Sequence, residues 1–184
     1  AVVRRGPYAS WTVVGDLAQR ARDTPPRTWE EVAQLIGRRQ VTVERLDTNY
    51  RTPSELAPLA RRALGLAGHD PDGFPTTVRS NGRVPRLVVD ADAAGAGVRR
   101  VVGELLATEG RSGTIGVVVP AAVLAAVRSD LAELEGTASE VRVLDPRRVK
   151  GLEFDDLVVV APERIRDATP LGAHDLYVAL TRAT

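Results

Sequence analysis

The stretch from residue 143 to residue 160 constrains the fold of this chain more than any other, because it predicts a short strand, a polar loop and a second strand with a run of valines. Short apolar runs bounded by turn-forming residues are typical of strands that are covered on both faces. Within the loop, Gly151 suits a turn with positive φ or a close backbone approach. Lys150 beside it is the only lysine among 25 basic residues, which indicates a position where a compact ammonium is needed. The alternative is a tight connection between two buried strands.

Similar apolar runs alternate with amphipathic segments along the rest of the chain. Apolar runs predict strands at residues 11–14, 41–46, 87–90, 114–119, 141–144 and 157–160. Apolar residues at helical spacing predict helices at residues 29–36, 97–109, 121–134 and 174–183. This alternation predicts crossover connections, and hence an α/β protein whose mostly parallel sheet is doubly wound, with helices on both faces.

A further helix is predicted to begin at Thr52, with Thr52 as the N-cap, a proline next and Glu55 completing a capping box. Pro58 should kink this helix or loosen its first turns. Residues 65–86 are rich in Gly, Pro, Asp and Asn, which predicts a long surface loop, and residues 80–82 could form an edge hairpin within it.

Charge, cysteine content and hydropathy exclude several classes of protein. The formal net charge of +1 means that any anion site must be a local cluster. The absence of cysteine excludes disulfides and thiolate metal sites. The two histidines, His69 and His174, are expected to lie far apart and to form no ligand pair. No apolar run is long enough for a membrane span and no signal peptide is visible, so we expect a cytoplasmic protein.

The length of 184 residues fits one large domain or one and a half small ones, and allows a sizeable core. The sequence starts at Ala1, contains no methionine and stops at Thr184 within a predicted helix. We therefore expect this chain to be a piece of a longer protein.

Four short motifs stand in order along the chain: Gly15-Asp16-x-x-Gln19, then Asn-Tyr-Arg-Thr at 49–52, Lys-Gly-Leu-Glu-Phe at 150–154 and Tyr-Val-Ala-Leu-Thr-Arg-Ala at 177–183. Together they resemble motifs III, IV, V and VI of the superfamily 1 helicases of the UvrD/Rep/PcrA type. The match is closest to the helicase IV group, which includes the HelD-like factors that act on bacterial RNA polymerase. One motif alone would be weak, but four in order span nearly the whole chain.

In that family, two RecA-like domains hold one ATP between them, and the first domain supplies the phosphate-binding loop and the magnesium ligands. This chain has no Gly-x-x-x-x-Gly-Lys-Ser/Thr stretch and no Asp-Glu pair after an upstream strand. The resemblance therefore implies that residues 1–40 end the first motor domain and that residues 41–184 form the second, called 2A. ATP with Mg²⁺ would be the cofactor of the intact parent, with the metal ligands outside this chain, and the isolated piece would be inactive.

The resemblance also implies a role for each matching residue in nucleotide turnover. Gln19 would sense the γ-phosphate, and Tyr50 would stack on adenine. Arg51 and Arg182 would reach the γ-phosphate from across the cleft, since phosphoryl transfer needs positive charge on the transferred oxygens. Glu153 would bond a ribose hydroxyl. Outside the motifs, both arginines would be interpreted as solvated or salt-bridged surface residues.

The remaining site residues concern the nucleic acid and the edge of the domain. Lys150 and Gly151 would shape a loop near nucleic acid and nucleotide, and Thr181 would contact nucleic acid. Arg182 follows late on a short predicted helix, so we expect it to leave the domain surface and to be exposed.

Two departures from the family pattern weaken the expected contact with nucleic acid. The residues at 20–24 are not the base-stacking aromatics that usually follow motif III, and Leu-Asp-Pro at 144–146 replaces a Thr-x-His before the Lys-Gly. Motifs IV and V are separated by about the length of one RecA-like core, which leaves no large 2B insertion between them. These features favour the helicase IV and HelD-like side of the family.

Three hypotheses follow. The first is the C-terminal motor domain of an ATP-dependent DNA helicase, whose partners are the N-terminal motor domain of the same polypeptide and single-stranded DNA. The second is the ATPase part of a factor that removes or recycles RNA polymerase. The third is an α/β domain that uses no nucleotide.

Overall fold

The computed structural model describes residues 12–20, 26–38, 41–89, 95–110, 112–137 and 141–184. Within them the chain is a mixed α/β protein. Its helices are α1 (Trp29–Leu35), α2 (Ala57–Leu66), α3 (Ala96–Leu106), α4 (Leu124–Thr137), α5 (Pro162–Asp167) and α6 (Gly172–Leu180). Its strands are β1 (Thr48–Asn49), β2 (Thr76–Thr77), β3 (Ile115–Val118), β4 (Val141–Leu144) and β5 (Asp156–Val159). Single 3₁₀ turns lie at Leu17–Gln19, Pro71–Gly73, Ala121–Val123 and Pro146–Arg148.

Strand β3 is the centre of a three-stranded parallel sheet in the order β4-β3-β5. Val117 lies opposite Val143 of β4 on one side and opposite Val158 of β5 on the other. The chain passes from β3 to β4 through α4, and then crosses to the other side of β3 to form β5. The strands predicted at 114–119, 141–144 and 157–160 are therefore confirmed, and they pair in parallel as expected.

Side chains of β3 enter two different hydrophobic cores. Val118 packs in a core with residues of α2, α5 and α6, whereas Ile115 and Val117 pack in a core with residues of α3 and α4. All four residues of β3 are buried. Helices thus cover both faces of this sheet, which explains why β3 is a continuous apolar run rather than an alternating one.

The ring of Phe154 occupies the space that a side chain at the middle of β3 would fill. A Cβ atom built on Gly116 would lie 2.6 Å from two ring carbons of Phe154, which is only 2% exposed. The N–H of Phe154 donates to the carbonyl of Arg182 at 2.9 Å, and the N–H of Thr184 donates to the carbonyl of Phe154 at 3.0 Å. The absence of a side chain at Gly116 therefore leaves room for the ring of Phe154. The backbone of Phe154 in turn bonds to the segment that follows α6.

Three predicted strands are wrong in the part of the chain that the structure describes. Residues 12–14, 41–46 and 87–89 are not in strands, and Trp11 and Asp90 lie outside the described residues. Their apolar side chains are exposed; Val89, for example, is 89% exposed. A strand needs a partner for its backbone hydrogen bonds. Alternating apolar residues cannot reveal whether that partner is present.

Helix α2 begins at Ala57 rather than at Thr52, so the predicted capping box is wrong. Thr52 is buried, and its hydroxyl accepts from the side-chain amide of Asn49 at 3.1 Å. The Glu55 carboxylate accepts instead from the N–H of Gly82 at 2.8 Å. Pro58 lies in the first turn of the helix, where no backbone donor is needed, so it does not interrupt the helix.

The predicted loop at 65–86 has more order than its composition indicates. Phe74 is only 4% exposed, and β2 pairs in parallel with β1, with Thr76 opposite Thr48. A parallel pair needs a crossover, which α2 provides. Residues 80–82 do not form a hairpin, because they surround the carboxylate of Glu55 instead.

Glu55 makes the stability of this region depend on pH. The hydroxyl of Ser80, together with backbone N–H groups, lowers the pKa of Glu55 from 4.5 to about 2. Because the folded pKa is the lower one, the ionised carboxylate stabilises the native state above about pH 4.5 and loses that effect as the pH falls toward 2. We expect Glu55→Gln to melt below the wild type at pH 7, with a difference that shrinks at pH 3.

The matched control is Glu109→Gln, which removes the same charge at an exposed position beyond α3. Thermal melts of the three proteins between pH 3 and pH 7 test the expectation. A difference between Glu55→Gln and wild type that stays constant over this range would contradict it.

The two histidines meet where α2 packs against α6. Their Nε2 atoms are 3.4 Å apart, and their rings cross at 82°. The expectation that His69 and His174 lie far apart is therefore wrong, because it was based on their separation along the chain. None of the helices within the described residues is long and apolar enough to cross a membrane.

Candidate functional site

Five of the predicted site residues form one connected group. Lys150 donates from Nζ to the backbone carbonyl of Gln19 at 2.8 Å, and Arg182 donates to the side-chain Oε1 of Gln19 at 3.2 Å. Arg51 and Glu153 form an ion pair at 2.6 Å, and both interact electrostatically with Arg182. Residues from all four motifs thus lie together although the sequence separates them widely.

Gln19 is positioned by the short 3₁₀ turn at Leu17–Gln19. Asp16 caps this turn, since one of its carboxylate oxygens accepts from the N–H of Ala18 at 2.9 Å. Its other oxygen accepts from the side-chain amide of Gln19, also at 2.9 Å. Ala18 is buried in the core that contains α6. The turn is therefore anchored to α6, and the Gln19 amide is oriented by Asp16.

The turn after β1 presents Tyr50 and Arg51. The Oδ1 atom of Asn49 accepts from the N–H groups of Arg51 at 2.9 Å and of Thr52 at 3.0 Å, which is the pattern of an Asx turn. Tyr50 is 75% exposed, so its ring extends into solvent. The Arg51 side chain is about half-exposed and meets Glu153 there.

The loop from β4 to β5 places Lys150 and Glu153. Asp145 begins it by accepting from the N–H of Arg147 at 2.9 Å, and Val149 anchors it in the core. Gly151 has a φ of 83°, which confirms the predicted turn with positive φ. The anchored turn leaves Lys150 exposed at its tip, with its ammonium on the carbonyl of Gln19.

Arg182 is buried, and the expectation that it leaves the domain surface is wrong. It is only 3% exposed, and its Nε donates to the carbonyl of Val178 at 3.0 Å. Thr181 is also buried, and its hydroxyl donates to the same carbonyl at 3.0 Å. Helix α6 ends at Leu180, earlier than predicted, so the carbonyls of its last turn need other donors. The guanidinium of Arg182 supplies one of them.

The charges around Arg182 make this group a candidate anion site. Burial lowers the pKa of Arg182, the nearby Arg51 lowers it further, and Glu153 opposes both effects. Burial and the neighbouring Asp16 carboxylate raise the pKa of Tyr177. Two guanidinium groups that act on each other, one of them paired with Glu153, would attract an anion with several oxygens.

Two positioning residues, Asp16 and Asn49, are absent from the predicted site. Both lie within the motifs: the Asp16 carboxylate orients the side-chain amide of Gln19, and the Asn49 side chain orients the backbone of Arg51. The signal that could have identified them is the preference of Asp and Asn for caps and turns at the end of an extended segment. Among the described residues, no three His, Asp or Glu side chains come together as a metal site.

Neither the models of known protein families nor the curated proteins include a match to this chain. The resemblance to superfamily 1 helicases therefore depends on the four motifs themselves.

Proposed function

We propose that this chain is the second RecA-like motor domain of an ATP-dependent superfamily 1 DNA helicase, preceded at residues 1–40 by the end of the first. The observation that carries this proposal is the meeting of residues from four separate motifs around Gln19 and Arg182. The sheet order β4-β3-β5, with helices on both faces, supports a doubly wound RecA-like sheet.

In the intact parent, the arginines would act on the phosphates of a nucleotide held by the other motor domain. Arg182 is held by three hydrogen-bond acceptors, so its guanidinium would need little rearrangement to stabilise charge in the transition state. Arg51 would provide a second guanidinium, and Gln19 would contact the phosphates and so connect them to the 3₁₀ turn at Leu17–Gln19. The exposed ring of Tyr50 is available to stack on adenine.

Contact with single-stranded DNA would involve the loop between β4 and β5. Lys150 is exposed there and is better placed than Thr181, whose hydroxyl is buried against the end of α6. We propose a cytoplasmic parent in which the N-terminal motor domain of the same polypeptide supplies the phosphate-binding loop and the Mg²⁺ ligands.

A second candidate is the ATPase part of a factor that acts on RNA polymerase. It is favoured by the start of the β4–β5 loop, where Asp145 caps its own 3₁₀ turn and Pro146 is buried. That stretch has no imidazole to offer to a nucleic-acid strand. ATPase assays of the parent with single-stranded DNA and with RNA polymerase would separate the two candidates by which of them stimulates turnover.

The isolated chain should bind nucleotide weakly and should not hydrolyse it, because it offers only one side of the site. The favourable free energy from stacking on Tyr50 and from the arginine contacts is offset by a free-energy cost of association of similar size. Steady-state ATPase assays and calorimetry on the isolated chain and on the intact parent provide the test. Sub-micromolar ATP affinity or DNA-stimulated turnover by the isolated chain would contradict the expectation, and a parent without ATPase activity would reject the proposed function.

A further inference from the structure

The two histidines of the chain are held opposite each other by well-defined helix ends. Helix α2 ends in a Schellman motif, in which Gly68 has a φ of 80° and its N–H donates to the carbonyl of Gly65 at 3.0 Å. In the same motif the N–H of His69 donates to the carbonyl of Leu64 at 3.2 Å, so the position of its backbone is fixed. His174 lies in the first turn of α6 and is only 3% exposed.

The start of α6 is also fixed by close packing. A Cβ atom built on Gly172 would lie 2.2 Å from the carbonyl oxygen of Arg166, so the first turn of α6 packs directly on the backbone of α5. Residues of α2 and α6 share one hydrophobic core. The distance between the two imidazoles is therefore set by rigid elements, as a preorganised pair of ligands requires.

The geometry of the two imidazoles matches two ligands of one metal ion. Their Nε2 atoms are 3.4 Å apart, which is long for a hydrogen bond from an N–H group. Zn–N bonds of about 2.0–2.1 Å in a tetrahedral arrangement place two ligand nitrogens about 3.3–3.4 Å apart. The rings cross at 82°, so they meet through their edges, where the ligand nitrogens lie, and not through their faces.

We propose that His69 and His174 bind one Zn²⁺ ion through their Nε2 atoms. Both imidazoles are then neutral and carry their proton on Nδ1, because a metal binds the unprotonated nitrogen. Among the described residues no third His, Asp or Glu joins the pair, so water completes the coordination from the side of His69, which is half-buried. The ion would connect the end of α2 to α6, the helix that leads into Arg182. This inference does not depend on the proposed function.

The experiment measures thermal melts of the chain with and without millimolar Zn²⁺. We expect Zn²⁺ to raise the melting temperature by roughly 5 °C, because an ion that binds only the folded state stabilises it. Mg²⁺ at the same concentration should have no effect, since it prefers oxygen ligands. Calorimetry should give one ion per chain, and Zn²⁺ should shift the imidazole signals of both histidines in a proton spectrum.

His69→Gln should abolish the effect of Zn²⁺. A glutamine side chain can still form a hydrogen bond with His174, but it lacks the imidazole nitrogen that binds the metal. Asp72→Asn is the matched control, because it removes an exposed carboxylate from the same segment after α2. This variant should respond to Zn²⁺ like wild type.

Each outcome decides the proposal. A Zn²⁺ effect that persists in His69→Gln would show that the ion binds elsewhere, and a loss of the effect in Asp72→Asn would place it at the neighbouring carboxylates; either result rejects the pair as the site. If His69→Gln does not fold, the proton spectrum of wild type decides, and imidazole signals that Zn²⁺ leaves unchanged would overturn the proposal.

Discussion

Replacing Arg182 by alanine in the intact parent should reduce nucleotide turnover by roughly three orders of magnitude or more, as expected for a lost arginine contact to a transferred phosphoryl group. Under the proposed function, the loss should fall mainly on kcat, because the charge that the guanidinium would stabilise is largest in the transition state. Arg182→Lys should restore little, since an ammonium cannot reproduce the orientation that contacts with Val178, Gln19 and Thr181 give the guanidinium.

The same change should also destabilise the domain. The guanidinium is buried and donates to the carbonyl of Val178, the Oε1 atom of Gln19 and the hydroxyl of Thr181. The carbonyl of Val178 would keep the hydroxyl of Thr181 as a donor, but the half-buried amide oxygen of Gln19 and the buried hydroxyl of Thr181 would lose the guanidinium, at a cost of about 1–3 kcal/mol. We therefore expect a clear decrease in the melting temperature of the isolated chain, and not the small change that an exposed arginine would give.

Arg128→Ala is the control that separates these two effects. Arg128 is half-buried on α4, and its guanidinium donates to the carbonyl of Val143 at 3.0 Å. Its loss should lower the melting temperature without affecting turnover in the parent at a temperature where both proteins are folded. Near-normal turnover in folded Arg182→Ala would reject the catalytic role, and equal losses of turnover in the two variants would assign the effect to stability alone.

Replacing Gly116 by alanine should destabilise the fold by about 3 kcal/mol, the upper part of the range for an overpacked core. The new Cβ would lie 2.6 Å from the ring of Phe154, a distance at which either the ring or β3 must move. Both are fully buried, and β3 is held on each side by a neighbouring strand. Replacing glycine stabilises the native state by only about 0.5–1 kcal/mol through backbone entropy. The clash outweighs this effect, so the variant should be less stable than wild type. For a chain of this size, the melting temperature should fall by about 10 °C.

Gly103→Ala is the opposite case and serves as the control. Gly103 lies within α3, and a Cβ atom there would meet no atom within 4 Å. It should raise stability by about 0.5–1 kcal/mol through helix propensity. Thermal and denaturant unfolding of both variants would check the pair, and an unchanged melting temperature for Gly116→Ala would mean that Phe154 can move aside without cost.

The central strand β3 could be predicted because all four of its residues are buried, and its two neighbours because their valines are buried or half-buried. Ile115 to Val118 is confirmed within one residue as a run that is buried throughout, and Val141 to Leu144 is confirmed as a strand whose exposed Arg142 lies between two buried valines. Strands at 12–14, 41–46 and 87–89 could not be judged in this way, because a half-apolar segment becomes a strand only when a partner is present.

Long-range contacts also explain the other local errors. The capping box at Thr52 is valid as a local pattern, but Glu55 finds stronger donors at residues 80–82, which no local rule can foresee. Helix α5 was missed because it has only six residues, many of them charged, although its first residue, Pro162, is a typical start signal.

The candidate site was predicted in its members but not in its arrangement. The motifs identify Gln19, Arg51, Glu153 and Arg182, and the structure brings these four together. The burial of Arg182 could not be predicted, because it depends on two long-range features. These are the residue at which α6 ends and the packing of the Leu17–Gln19 turn against that end. The ion pair of Arg51 with Glu153 likewise joins residues about a hundred positions apart.

The contact between the two histidines provides a built-in spectroscopic probe. Because the chain contains only two imidazole rings and these touch, every histidine ring signal in a proton spectrum reports on the seam between α2 and α6. Helix α6 leads directly into Arg182, so displacement of this helix by a ligand would shift both ring signals together. Changes confined to the core that contains α3 and α4 would not shift the histidine signals. Movement at the candidate site could therefore be followed without any added label.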